Sequence, residues 1–297
     1  MPKQTGAVAD KSTLLDSLGV FAASNGYTVR YSGPDPGGSG YHVLNLRKNW
    51  KFYNLMETSD GWRLSMSTSY SGGSNWGSQP EDSWGTHHTT VNRVVAGVLN
   101  YWFYLGANYL HVVVKKDALN YVHFGIGEVE KFGSYVGGEY VYGHYTEGGS
   151  EAVPWSSYHS LFFSGTTSIH TSNYSKNIIR ADVDGTPTWL SCGKVYVPGS
   201  WGTCRGTSHE AYHEPLWDVI PDVLNSQGLL LPILIYAVSP VGEYIPLGRI
   251  KGMNRVDNLY IDDEAIVLTN WRVFPWYSKT DPVWDSGRYG ITYDESV

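Results

Sequence analysis

Charged residues and cysteines are both scarce in this chain of 297 residues. Asp, Glu, Lys and Arg make up 16% of the sequence, whereas about 25% is usual in soluble domains. Ala, Glu, Lys and Leu do not dominate, which excludes a coiled coil or a long helical bundle. The 2 cysteines are too few for a disulfide framework. The fold therefore depends on a hydrophobic core, for which the chain is long enough.

A basic stripe and a long apolar run are also absent. The 21 Lys and Arg are outnumbered by 28 Asp and Glu, and the formal net charge is −7, which is unfavourable for binding nucleic acid. The most apolar segment, Leu229 to Val238, is about half the length of a membrane-spanning helix, and Pro232 interrupts it. No apolar run follows Met1, so no secretory leader is predicted. We expect a protein made in the cytoplasm, with no nucleic-acid partner and no membrane span.

Aromatic residues and glycine are abundant instead. Tyr, Trp and Phe form 14% of the chain, and 34 residues are glycine, which excludes disorder over most of the length. Because a monomer needs charged surface to stay soluble, so many rings beside so few charges predict large interfaces with neighbouring molecules. Four tryptophans are predicted as interface anchors, with ordinary core packing as the alternative: Trp76, Trp84, Trp276 and Trp284. A further alternative is a carbohydrate-binding platform that includes Trp62, Trp76 and Trp84.

Hydrophobic periodicity predicts a mainly β fold with one N-terminal helix. Leu14, Leu15, Leu18 and Phe21 share one face of a helix over residues 11–23, which Asp10 or Ser12 could cap and Asn25-Gly26 would end. Short alternating segments then recur at spacings of about 8–12 residues with turn signals between them. This pattern predicts sandwich- or barrel-like sheets with long loops.

The chain is predicted to divide into three parts. Residues 1–164 would form the helix and a first β domain. Residues 165–228, rich in Ser, Thr and Gly, would form a variable insertion or small lobe. Residues 229–297 would form a C-terminal β region that packs on the first part, unless all three are one continuous domain. The Ser/Gly/Trp/His stretch at 69–90 is predicted to be a surface arm or binding loop.

One segment matches the H-E-x-x-H pattern of zinc peptidases: His209-Glu210-Ala211-Tyr212-His213. That chemistry needs both histidines on one face of a sustained helix, yet Gly206 precedes the segment closely and Pro215 follows it. A peptidase is therefore a remote alternative. A structural zinc site would use Cys192, Cys204, His209 and His213, but the spacing between the cysteines is too wide for paired zinc ligands. Buried thiols are preferred, a disulfide across a hairpin comes second, and a metal site third; no cofactor is predicted.

Paired carboxylates are the other possible source of catalysis. Eight acids in or near loops could include a glycosidase pair: Asp60, Glu81, Asp82, Glu128, Glu130, Glu139, Glu147 and Glu151. Such a pair requires a defined separation of the two carboxyl groups, which the sequence alone does not supply. Solvated turn residues are the simpler interpretation. The chain is therefore predicted not to be an enzyme.

Two segments resemble a known family. The first contains His111-Val112-Val113-Val114, His123-Phe124-Gly125, Glu130-Lys131-Phe132-Gly133 and Tyr135-Val136-Gly137-Gly138-Glu139-Tyr140. The second contains Pro246-Leu247-Gly248-Arg249-Ile250-Lys251-Gly252, Asn254-Arg255-Val256 and Trp271-Arg272-Val273-Phe274-Pro275. Both are similar to patterns in a family of tailed-bacteriophage virion structural proteins.

The resemblance implies a non-catalytic structural subunit of the virion, assembled in the host cytoplasm. Its expected position is the tail tip, the baseplate or a tail junction. Its expected partners are copies of itself and other virion proteins. The alternatives are a receptor- or carbohydrate-binding module on the virion exterior and a head–tail connector or capsid-associated protein.

Overall fold

The computed structural model describes residues 2–72, 76–80, 89–91, 94, 97–143, 177–182, 185–192, 203–206, 230–238, 244–257, 265–267, 270–275 and 289–296. Most of the predicted insertion at 165–228 lies outside these ranges.

A small antiparallel sheet forms from the N-terminal part of the chain. The first elements are β1 (Lys3–Val8), α1 (Lys11–Ser24), β2 (Thr28–Pro34), β3 (His42–Lys48), β4 (Lys51–Thr58), β5 (Gly61–Ser67), a 3-10 turn (Trp76–Ser78) and β6 (Thr89–Val91). Strands β2 to β6 pair in sequence order. Strand β1 belongs to a second, larger sheet, where it pairs with the strand at Leu99–Leu105.

The large sheet contains fourteen strands. Its further members are β7 (Leu99–Leu105), β8 (Tyr109–Lys115), β9 (Tyr121–Glu128), β10 (Glu130–Lys131), β11 (Gly137–Gly143), β12 (Ile178–Asp182), β13 (Pro187–Cys192), β14 (Thr203–Gly206), β15 (Leu230–Val238), β16 (Tyr244–Asp257), β17 (Ala265–Val267), β18 (Trp271–Pro275) and β19 (Tyr289–Asp294). The strand order is β1-β7-β8-β9-β11-β12-β13-β14-β15-β16-β19-β18-β17, and β10 pairs with β16. The protein is mainly β, with sandwich-like sheets and an N-terminal helix, as the sequence predicts.

Helix α1 forms where the periodicity places it. The Asp10 carboxylate accepts a hydrogen bond of 2.7 Å from the Thr13 N–H and caps the first turn. Gly26 follows the helix with φ +88°, a conformation that glycine adopts without strain. The apolar face is buried, and Phe21 packs on Phe103 of β7 with 5.5 Å between the ring centroids. The helix therefore covers one face of the large sheet beside the small sheet.

The small sheet packs on the same face of the large sheet. Trp62 of β5 lies against Phe124 of β9, with ring centroids 5.3 Å apart. The Tyr53 hydroxyl donates a hydrogen bond of 3.2 Å to the Gly127 carbonyl oxygen. Both contacts join the two sheets through the middle of the molecule, so the first core lies between them.

A second core lies on the other face of β7, β8 and β9, where β18 and β19 pack. Phe274 of β18 meets Trp102 of β7 at 5.0 Å, and Tyr293 of β19 stacks on Tyr104 of β7 at 5.0 Å. His123 Nε2 lies 3.0 Å from the Pro275 carbonyl oxygen. The large sheet therefore folds back on itself, and its central strands are covered on both faces.

Aromatic side chains fill these two cores. Nine of the largest side chains are less than 2% exposed, and all are aromatic: Trp62, Tyr53, Tyr121, Tyr140, Tyr142, Tyr293, Phe103, Phe124 and Phe274. Two internal layers need many large side chains, so the aromatic content alone does not indicate an interface. The expectation of large interfaces with neighbouring molecules therefore stays a prediction.

Candidate functional site

The turn between β3 and β4 carries a solvent-exposed tryptophan. Pairing continues to Lys48 opposite Lys51, so Asn49 and Trp50 form a tight two-residue turn. Their φ angles are +49° and +67°. This turn favours Asn-Gly, and a bulky residue in the left-handed region costs roughly 1–2 kcal/mol. The Trp50 side chain is nevertheless 83% exposed.

An ion-pair network fastens this turn to the large sheet. The Lys51 ammonium pairs with the Glu128 carboxylate at the end of β9 and lies 3.9 Å from that of Glu139 in β11. Glu139 also accepts a hydrogen bond of 3.2 Å from Arg180 of β12. Glu128 and Glu139 are register partners. Because both sheets contribute charges, the network fixes where the turn carries Trp50.

Two further apolar side chains are exposed on the connection from β10 to β11. Phe132 is 51% exposed and Val136 is 57% exposed. The Phe132 N–H and the Tyr135 hydroxyl both donate to the Leu247 carbonyl oxygen of β16, at 3.0 and 3.1 Å. The connection is thus held against the large sheet while its apolar side chains face outward. Residues 47–51 and 128–139, with the charged residues Arg180, Asp182, Arg249 and Lys251, are referred to below as the hairpin end.

Three cations of the hairpin end lie over aromatic rings. Arg47 lies 5.5 Å from the centroid of the Trp50 ring, Lys48 lies 4.7 Å from that of Tyr27, and Lys131 lies 4.8 Å from that of Tyr135. Among the described residues, none of the three forms an ion pair with a carboxylate. Cation–π contacts at exposed positions are worth about 0.5–1 kcal/mol and leave the charge available to a partner.

The three glutamates of the hairpin end already have cationic partners. Glu130 pairs with Arg249 and lies 3.2 Å from the Lys251 ammonium. The hydrogen bond from Arg249, followed by that from Lys251, lowers the pKa of the Glu130 carboxyl. The hairpin end contains seven cationic residues, namely Arg47, Lys48, Lys51, Lys131, Arg180, Arg249 and Lys251. It contains four carboxylates, namely Glu128, Glu130, Glu139 and Asp182. This end is therefore positive in a chain whose formal net charge is −7.

Two of the candidate acids for a carboxylate pair form ion pairs with cations. Glu128 and Glu139 were candidates for a carboxylate pair, and the structure does bring them opposite each other. Their partners are Lys51 and Arg180, and the Glu139 side chain is only 8% exposed. The interpretation of Glu139 as a solvated turn residue is therefore wrong, because it is a strand residue in the network that joins the two sheets.

The predicted tryptophan anchors have different positions. Trp76 is buried against Val43 and Met56, and its backbone N–H donates to the Asp35 carboxylate at 3.1 Å. Core packing, the alternative interpretation, is thus what the structure shows for Trp76, because the 3-10 turn at Trp76–Ser78 packs on the outer face of the small sheet. Trp62 is fully buried, so neither ring offers an open platform to a sugar. Trp84, Trp276 and Trp284 lie outside the described residues.

The two cysteines are brought together by adjacent strands. Cys192 of β13 and Cys204 of β14 are register partners. The two strands are parallel, which corrects the expectation of a hairpin between them. His209, Glu210 and His213 lie outside the described residues. In the part that the structure describes, no group of three or more His, Cys, Asp or Glu residues could hold a metal ion. That same part contains no helix long and apolar enough to cross a membrane.

Sequence reasoning missed the residues that form the exposed apolar surface. The sequence analysis did not predict the tight turn at Trp50, although the preceding Asn49 is a residue that favours the first position of such a turn. Phe132 and Val136 were seen only as part of a family motif, although Gly133 follows Phe132. The available sequence signal for an exposed apolar side chain was a turn-forming residue next to it, as in Asn49-Trp50 and Phe132-Gly133.

Comparison with known proteins adds no assignment to this surface. No protein-family model matches the chain, and no curated protein matches it significantly.

Proposed function

We propose that this protein is a structural subunit of a tailed-phage virion, placed at the tail tip, the baseplate or a tail junction. It acts by contacts with copies of itself and with other virion proteins. The observation that carries the proposal is Trp50, a tryptophan held 83% exposed in a left-handed turn conformation. The family resemblance of the sequence supports the choice of a phage particle.

The physical argument starts from the strain at Trp50. A left-handed conformation at a bulky residue persists only where the surrounding structure imposes it, and such strain concentrates at functional positions. Tryptophan is also the residue type most enriched among interface hot spots. Phe132 and Val136 add exposed apolar side chains at the hairpin end, which also carries Arg47, Lys48 and Lys131. Exposed apolar side chains combined with charged ones are typical of a protein–protein interface.

Two of the four edge strands in the described part of the chain are poorly suited to strand addition. The edge strands are β1 and β17 of the large sheet and β2 and β6 of the small sheet. Strand β2 has an irregular register between Val29 and Tyr31 and ends in Pro34. Strand β1 follows Pro2 and begins with Lys3. Prolines, bulges and lysines at edges discourage pairing with another chain, which favours contacts through side chains such as those of the hairpin end.

The segments that resemble the phage family support a scaffold role. His111 and His123 lie in the second core, and Phe274 of the C-terminal segment packs there beside them. Buried residues of this kind maintain the sandwich that positions the hairpin end. The resemblance and the exposed surface therefore concern different parts of one molecule.

Sedimentation of the purified chain tests the proposal. We expect concentration-dependent association, or a rise in melting temperature when other proteins of the same virion are added. Trp50→Ala should weaken association at least tenfold, since truncation of an interface tryptophan commonly costs 2 kcal/mol or more, by the order of magnitude of hot spots. Val98→Ala is the control, because Val98 is also exposed but precedes β7, away from the hairpin end.

A chain that remains monomeric at all concentrations and is stabilised by no virion protein would contradict the proposal. Turnover of any substrate by the purified protein would contradict it as well.

A further inference from the structure

The hairpin end has the chemistry to bind an acidic segment that also carries apolar side chains. It presents three exposed apolar residues, Trp50, Phe132 and Val136. It also presents three cations that lie over rings and have no carboxylate partner among the described residues, namely Arg47, Lys48 and Lys131. A partner that supplied only acids would leave the apolar surface in water, and one that supplied only apolar groups would desolvate the cations at a cost.

One segment of the chain itself has this composition. Residues 258–264 read Asn258-Leu259-Tyr260-Ile261-Asp262-Asp263-Glu264. Three apolar or aromatic residues are followed by three consecutive acids. The segment lies outside the described residues and connects β16, which ends at Asp257, to β17, which begins at Ala265.

We propose that the hairpin end of one copy binds residues 258–264 of a second copy. This inference rests on the proposed function, because it names the contact by which the subunits assemble. The two surfaces of the contact differ, so each copy offers one of each and the association is head to tail. Such a contact forms a ring when the rotation closes, and a filament when it does not.

The electrostatic part of the contact predicts a dependence on salt. An excess of cations at one end of a chain with formal net charge −7 means that the rest of the chain is more acidic still. Complementary charges mainly accelerate association and select its orientation, and their effect falls as ionic strength rises. The apolar part, centred on Trp50, would supply most of the affinity.

Charge reversal on each surface tests the pairing. One variant combines Lys48→Glu with Lys131→Glu, and the other combines Asp262→Lys with Asp263→Lys. Each variant alone should lose at least tenfold in self-association, measured by sedimentation equilibrium at low salt. An equimolar mixture of the two should recover association, because each reversed surface then meets an opposite charge. The matched controls carry the same changes of charge elsewhere: Lys115→Glu with Lys116→Glu, and Glu81→Lys with Asp82→Lys.

Three other outcomes would each overturn either the pairing or the proposed function. Association of the wild-type chain that neither reversal weakens would overturn the pairing and leave the structural role intact. Reversals that change stability but not the concentration dependence would show that the segment binds its own hairpin end, which also overturns the pairing. A wild-type chain that associates with nothing would contradict the proposed function itself.

Discussion

Acid should destabilise the folded chain before most of its carboxylates are protonated, because His111 is buried without charge. His111 is fully buried, and its removal from water lowers the pKa of the imidazole to about 4. Nε2 lies 2.8 Å from the Lys251 carbonyl oxygen, which can only accept, so Nε2 carries the proton. Nδ1 then accepts from the Tyr142 hydroxyl at 2.9 Å. Both nitrogens of the neutral ring are therefore satisfied, and a proton added at Nδ1 would displace the hydrogen bond that the Tyr142 hydroxyl donates to it.

The size of the effect follows from the two pKa values. In the unfolded chain the imidazole has its ordinary pKa of about 6.5. Between that value and about 4, the unfolded chain binds a proton that the folded chain does not. The burial of a neutral His111 therefore contributes in full to the free energy of unfolding above about pH 6.5. This contribution decreases as the pH falls, because protons then bind to the unfolded chain. At about 1.4 kcal/mol for each unit of pKa, the loss approaches roughly 3 kcal/mol by pH 4.

Urea unfolding followed by tryptophan fluorescence at pH 7, 6, 5 and 4.5 measures this loss. His111→Gln is the comparison, since glutamine retains a donor and an acceptor but does not titrate. Its free energy of unfolding at pH 7 should be lower than that of the wild type, while its decrease between pH 7 and 4.5 should be smaller by about 2–3 kcal/mol. Equal decreases in both proteins would refute the reasoning. So would an NMR titration of the folded wild type in which the His111 ring protonates near pH 6.5.

Three further substitutions have defined outcomes in the same unfolding assay. Trp50→Gly should leave stability within about 0.5 kcal/mol of the wild type while association falls, because removal of the left-handed strain offsets the entropy cost of glycine and the lost contact with Arg47. Gly125→Ala should cost roughly 1–3 kcal/mol, because a Cβ there would lie 2.6 Å from the Tyr142 ring. Gly133→Ala, where a Cβ meets no atom within 4 Å, is its control and should change little. Asp10→Ala should cost about 1 kcal/mol through the lost cap on α1.

The sequence predicted the parts of the fold that local patterns determine. Helix α1 follows from an apolar face between a capping Asp10 and a terminating Gly26, and all of these signals are local. Strands β3 to β5 carry the same kind of local signal, because alternation and turn residues mark their ends. Strand β1 carries little of it, because most of its residues are exposed and its register depends on β7, which is distant in the sequence.

The candidate site was harder to predict because its residues become neighbours only in the folded chain. Lys51 meets Glu128 through the packing of one sheet on the other, and no spacing in the sequence indicates that contact. Trp76 was expected at a surface because it lies in a Ser/Gly-rich stretch, yet its side chain packs against Val43 and Met56. Composition could count the rings but could not distinguish a second internal core from an interface.

A cryo-EM reconstruction of the assembled virion tests the central claim most directly. The account predicts density for this chain in the particle, with the Trp50 turn covered by a neighbouring subunit and residues 258–264 of that neighbour against Lys48 and Lys131. A particle that lacks the chain, or one in which the Trp50 turn of every copy faces solvent, would contradict it.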